Sequence, residues 1–151
     1  MKKIGTYTVR GQATEAVPYQ IRLFDGQFDT GYRIIDAKFF GGSFDFSSNP
    51  DVIGKVGTSP NLITGSNNFW NAEEVREIAW GGMRGSVDTA DANSVSVIDP
   101  DNFVVEDLWV YVRSAGNQPV NYLITMEKYE TTDARGALAM VRNNAQNVTG
   151  D

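Results

Sequence analysis

The 151-residue chain contains no cysteine and no histidine, and these two absences remove most familiar enzyme chemistry. Without cysteine there is no disulfide framework and no thiolate to hold a metal. Without histidine there is no Ser-His-Asp or Cys-His nucleophile system and no imidazole base near neutral pH. Zinc and copper also lose their commonest ligand. No apolar run approaches the roughly 20 residues of a membrane-spanning helix. The opening MKKIGTYTVRG places Lys2 and Lys3 as a signal peptide would, but Gly5, Thr6 and Thr8 interrupt the apolar stretch that should follow. The expectation is a soluble protein with no membrane partner, no transmembrane segment and no export signal. A formal net charge of −6 argues against the basic footprint of nucleic-acid binding, so no specific nucleic acid is expected as a partner.

What the chain does have is short runs of β-formers separated by turn residues. Its 41% hydrophobic and 21% charged content is that of an ordinary globular domain, able to bury a core without metal or disulfide staples. Residues 4–10 are rich in Thr, Tyr and Val and end at Gly11; residues 19–24 alternate, with Tyr19, Ile21 and Leu23 on one face. Asp25-Gly26 follows at once, a strong two-residue hairpin signal. Residues 31–40 place Arg33, Ile35, Ala37 and Phe39 opposite Tyr32, Ile34, Asp36 and Lys38. Over 47–68, Pro50, Gly54, Gly57, Pro60 and Gly65 punctuate the chain and predict a long loop carrying one or two very short strands. A helical turn capped by Asn71 is predicted over 72–76, with a strand after it. Residues 102–130 read as a large hairpin with Trp109 and Tyr122 in its core on adjacent antiparallel strands. Over 134–142, apolar residues fall at helical spacing, as a short helix or an extended arm. The fold class predicted is all-β: an antiparallel β-sandwich with jelly-roll or Greek-key winding and at most one or two short helices. It forms one domain over 1–142 with a long loop at 47–68, followed by a loose tail at 143–151.

The candidate chemical sites are few. GKVGTS, residues 54–59, resembles a phosphate loop, but Asn49 stands where the first glycine belongs and Val56 where a Ser or Thr should follow Lys55. It reads as a turn. Glu73, Glu74 and Glu77 are the clustered carboxylates a glycosidase-type mechanism would need, yet beside Arg76 they read as a solvated helix start. Asp99 to Asn102, DPDN, offers oxygen ligands without EF-hand spacing and reads as a turn before a strand. No catalytic, cofactor or metal residue is assigned. Trp70, Trp80 and Trp109 are candidates for a sugar-stacking platform, with Trp70, in the polar stretch SNNFWN, the best placed, which would make the chain a carbohydrate-binding module.

Charge and loop composition point instead to assembly. Six acids and no Lys or Arg lie between Gly85 and Val112, while the first ten residues carry Lys2, Lys3 and Arg10 with no acid. Such asymmetry suits a contact in which basic and acidic surfaces meet. Val52, Ile53, Leu62 and Ile63 in the long loop, and Leu138, Met140 and Val141 in the tail, are the further candidates for a subunit interface. With its lack of His and Cys, its richness in Gly, Asn, Asp and Thr, and its late pair VEDLWVYVRSAG and VNYLITMEKYE followed by a tail, the chain resembles small β-rich virion proteins of bacteriophages, such as single jelly-roll capsid components. That resemblance implies a non-enzymatic structural subunit that forms homo-oligomers, with other virion proteins as further partners and the virion, assembled in the host cytoplasm, as its location.

Overall fold

The computed structural model describes residues 2–15, 17–24, 26, 29–41, 51–65, 68–85, 92–115 and 118–131. These form eight strands: β1 (Lys2–Ala13), β2 (Tyr19–Ile21), β3 (Thr30–Gly41), β4 (Val52–Gly57), β5 (Glu77–Gly85), β6 (Ala92–Ile98), β7 (Leu108–Ser114) and β8 (Val120–Glu130). The predicted class is the observed one. A three-stranded sheet in the order β1-β8-β3 packs against a five-stranded sheet in the order β2-β7-β4-β5-β6, and every ladder is antiparallel. No α-helix occurs among the described residues, and none there is long and apolar enough to cross a membrane.

The ladders pair β1 with β8, β2 with β7 and β4 with β5. β3 and β6 complete the series, because Ser96 Oγ donates to Asp36 Oδ1 at 3.0 Å and accepts from the Ala37 N–H at 3.5 Å. Three nested ladders, with β3 and β6 in different sheets and in contact through Ser96, follow the nesting of jelly-roll winding.

Three local expectations are corrected. β7 and β8 are central strands, as their apolar residues on both faces implied, but they lie in different sheets, so Trp109 and Tyr122 are not neighbours across a hairpin. Between these two strands the Ser114 hydroxyl donates to the Gln118 carbonyl at 2.8 Å. β2 and β3 likewise belong to different sheets and do not form the predicted hairpin, although Gly26 takes the positive φ of 89° that the motif favours. Within 47–68 the short strand expected there is β4, six residues long and central in its sheet, and the other described residues, 51, 58–65 and 68, carry no strand. Residues 72–76 form consecutive turns rather than a helix, and the predicted strand after them is β5. The predicted segments at 134–142 and 143–151 lie outside the described residues.

Strict alternation fails once in β3 for a physical reason. Ile34 pairs with Met126 and Asp36 with Thr125, leaving Ile35 as a bulge that lets both Ile34 and Phe39 face the core. The buried Asn102 side chain stands in for a strand at this bulge. Its Oδ1 accepts the Ile34 N–H at 2.8 Å, and its Nδ2 donates to the carbonyls of Ile34 at 3.0 Å and Asp99 at 2.7 Å. Asn102→Ala should therefore cost about 1–3 kcal/mol for each Ile34 backbone group left unpaired. Asn102→Asp keeps the acceptor but sets a buried carboxylate oxygen against the Ile34 and Asp99 carbonyls, so in urea unfolding it should be at least as destabilising as Asn102→Ala.

Candidate functional site

The most elaborate side-chain arrangement lies on the outer face of the five-stranded sheet. In β4, Val52, Gly54 and Val56 face the core, so Ile53, Lys55 and Gly57 face outward. Lys55 sits in a cross-strand row between Tyr111 of β7 and Trp80 of β5. The connection from β4 to β5 folds back over this row. Its Leu62 and Phe69 join Tyr111, Ile53 and Trp109 in a second, smaller apolar cluster outside the main core.

A bulge in β5 brings in the partner of Lys55. Val56 pairs with Ala79 and Gly57 with Glu77, so the extra residue Ile78 turns inward beside Ala79 and Glu77 is left facing outward. Without the bulge, Glu77 would be aimed at the hydrophobic core. Lys55 and Glu77 are ion-paired at 3.0 Å, with side chains 0% and 1% exposed. Lys55 Nζ also donates to the carbonyls of Ile63 and of Phe69, the latter at 2.6 Å, and lies 4.7 Å from the Phe69 ring centroid. The other carboxylate oxygen of Glu77 accepts the Trp80 indole N–H at 2.9 Å and the Asn71 N–H at 3.0 Å.

All three ammonium hydrogens thus have acceptors, and both carboxylate oxygens have donors. Burial pulls the Lys55 pKa below its ordinary value, and the hydrogen bond and charge of Glu77 oppose that pull. With its hydrogens engaged and no solvent access, this pair is a latch for the overlying segment rather than a nucleophile and acid. Two further bonds fasten the segment: Tyr111 accepts the Leu62 N–H at 3.2 Å and donates to the Ser59 carbonyl at 2.6 Å. The indole N–H of Trp70 donates to the Gly54 carbonyl at 2.9 Å.

The residues singled out in the sequence are dispersed by this fold. Glu73, Glu74 and Glu77 do not form a catalytic set. Glu73 is exposed, Glu74 is bound at both oxygens by the Arg76 guanidinium at 2.7 and 2.8 Å, and Glu77 is the latch. Asp99 accepts the Asp101 N–H at 3.0 Å, as a turn opener does. Among the described interface candidates, Val52 and Leu62 are buried in the chain's own cores and Ile53 is half-buried, while the apolar side chain of Ile63 is 54% exposed. The glycines explain this: they make room for packing rather than loop. Lys2 is exposed, and Lys3 is engaged with Glu127. Leu138, Met140 and Val141 lie outside the described residues. Trp70 stays partly exposed but has spent its only hydrogen-bond donor on Gly54.

Sequence reasoning missed the latch because Lys55 was read in a turn. Its signal was a single cation alternating with valines, matched by a single acid in EIAW.

One open cleft of about 270 Å³ is lined by Trp109, Phe24, Pro60, Gln20, Glu106 and Asp107. The Asp107 carboxylate is largely occupied, accepting from Gln20 at 2.7 Å and from the N–H groups of Leu23 and Phe24 at 2.8 and 3.1 Å. Compared with protein-family models, with curated proteins and with solved structures, the chain matches none.

Proposed function

We propose that this chain is a non-enzymatic structural subunit that assembles with copies of itself, a capsid or capsid-associated protein of the bacteriophage type that its sequence resembles. The observation that carries the reading is β1, a twelve-residue strand on the edge of the three-stranded sheet, with β8 on one side and no strand on the other among the described residues. Most of its residues are exposed, Tyr7 to 50%. A long open edge is a template for another chain, which monomeric proteins usually shorten or cover. The winding adds support by analogy, since viral capsid domains are among those built as jelly rolls. On this reading the protein resides in the virion after assembly in the host cytoplasm.

A second reading, a carbohydrate-binding module, draws on the same analogy, because lectin domains also use this winding. It is favoured by the indole-floored cleft at Trp109 more than by Trp70, the tryptophan best placed in the sequence. Light scattering over a range of protein concentrations at two ionic strengths separates the two. A structural subunit should give a stable multiple of the single-chain mass. A monomer at every concentration that is retarded on a glycan matrix would favour the module and overturn the assembly reading.

A further inference from the structure

We infer that two copies of the chain pair β1 against β1 about a two-fold axis at Tyr7, joining their three-stranded sheets into one of six strands. The inference rests on the self-assembly reading and names the contact that would produce it.

The other sheet edges are occupied or short. β3 is flanked by Val104, with which Tyr32 exchanges two backbone hydrogen bonds of 2.8 Å, by Asn102 at Ile34, and by Ser96 at Ala37. That last contact also sets the edge of β6 beside β3, and β2 is only three residues long. β1 itself is guarded only at its start, by Lys2, Lys3 and the bulge between Lys3 and Gly5. From Thr6 to Ala13 it carries one charge, Arg10, and runs in unbroken register with β8. Its outer row of backbone groups has no strand partner among the described residues and can template another extended strand.

The choice of a second copy comes from self-complementarity. An isologous contact requires that the strand read acceptably against its own reverse. With Tyr7 opposite Tyr7, Thr6 meets Thr8 and Gly5 meets Val9. Arg10 then meets Ile4, Lys3 meets Gly11 and Lys2 meets Gln12. Each of the three cations faces a neutral residue. A parallel pairing in register would set each cation against itself, and an antiparallel slip by two would bring Lys2 against Arg10; both are like-charge contacts that destabilise a sheet. Between Gly5 and Val9, beyond the bulge, opposed residues keep the same parity in the Tyr7-centred register, so the faces of the two sheets match at the centre of the junction. The half-exposed rings of Tyr7 become a cross-strand aromatic pair, a favourable partnership in antiparallel sheets.

The absence of cysteine makes the test direct. Opposed residues in an antiparallel pair have Cα atoms about 4.5–5.5 Å apart, within the span of a disulfide. Under mild oxidation of the full chain, Tyr7→Cys should form disulfide-linked dimers, at least about tenfold faster than Gln12→Cys, whose partner in the other copy is Lys2. As a second readout, Thr6→Cys and Thr8→Cys should cross-link efficiently when mixed and poorly alone. Tyr7→Cys linking no faster than Gln12→Cys, in a protein that light scattering shows to be oligomeric, would overturn the β1 pairing and leave the assembly reading intact. A wild-type chain that is monomeric throughout would overturn both.

Discussion

Glu77→Ala should destabilise the protein by about 3–5 kcal/mol, because it strands the Lys55 ammonium in a site closed to water. The loss comes from the orphaned partner rather than from the pair's own attraction, since desolvation offsets most of the Coulomb gain of a buried ion pair. Lys55→Met combined with Glu77→Leu should therefore recover most of the loss, and a double-mutant cycle in urea would measure the coupling. Glu77→Ala within about 1 kcal/mol of wild type would show the latch to be idle. The accompanying pH dependence has a definite sign. Folded Lys55 holds its proton less tightly than the unfolded chain does, so between its lowered pKa and the ordinary 10.5 the unfolded state binds more protons. The contribution of this group to stability then rises with pH across that window. Removing Glu77 deletes the interactions that oppose the lowering, so the rise should begin at lower pH in Glu77→Ala, as urea midpoints from about pH 7 to about pH 10 would record.

Phe39→Ala should cost about 3–5 kcal/mol, the usual range for emptying a buried aromatic site. Phe39 projects from the three-stranded sheet onto a floor made by Gly54 of the other sheet; a Cβ at Gly54 would lie 2.2 Å from the ring. Gly54→Ala should accordingly cost about 1–3 kcal/mol by overpacking. Combining Gly54→Ala with Phe39→Leu should cost less than the sum of the two single changes, because the smaller side chain leaves space for the new methyl. Thermal or urea unfolding of the three variants is the measurement. Additive effects would mean that the ring and the glycine do not share the same space.

That floor also shows where sequence reading succeeded and where it failed. The all-β sandwich was legible because Tyr19, Ile21, Ile124 and Met126 alternate with polar residues at the period of a strand, and the structure puts these four side chains in or against the main core. The place and central position of β4 were not, because Gly54 and Gly57 give that stretch the composition of a loop. Their role is to admit side chains from elsewhere, Phe39 over Gly54 and Leu62 over Gly57, and that demand arises only once the sheets are stacked. Register at Ile35 and Ile78 was hidden for a related reason, since a bulge shifts the alternation without leaving a distinctive residue. The latch could not be read at all from local pattern. Lys55 and Glu77 are brought together by adjacent strands, and the segment that covers them contributes backbone carbonyls, which carry no sequence signal.

The nested strand pairs also differ in how much chain each must close. The inner pair, β4 with β5, closes a short connection, whereas the outer pair joins Lys2 to Glu130 and must close nearly the whole chain. Loop-closure entropy grows with length, and folds dominated by such non-local pairing form slowly. During synthesis β1 precedes the other seven described strands, and its ladder partner β8 is the last of the eight to emerge. Until β8 arrives, β1 has no neighbour on either side and is not yet a sheet edge. An assembly contact placed on β1 is therefore withheld from a half-made chain and becomes available only after the roll has closed.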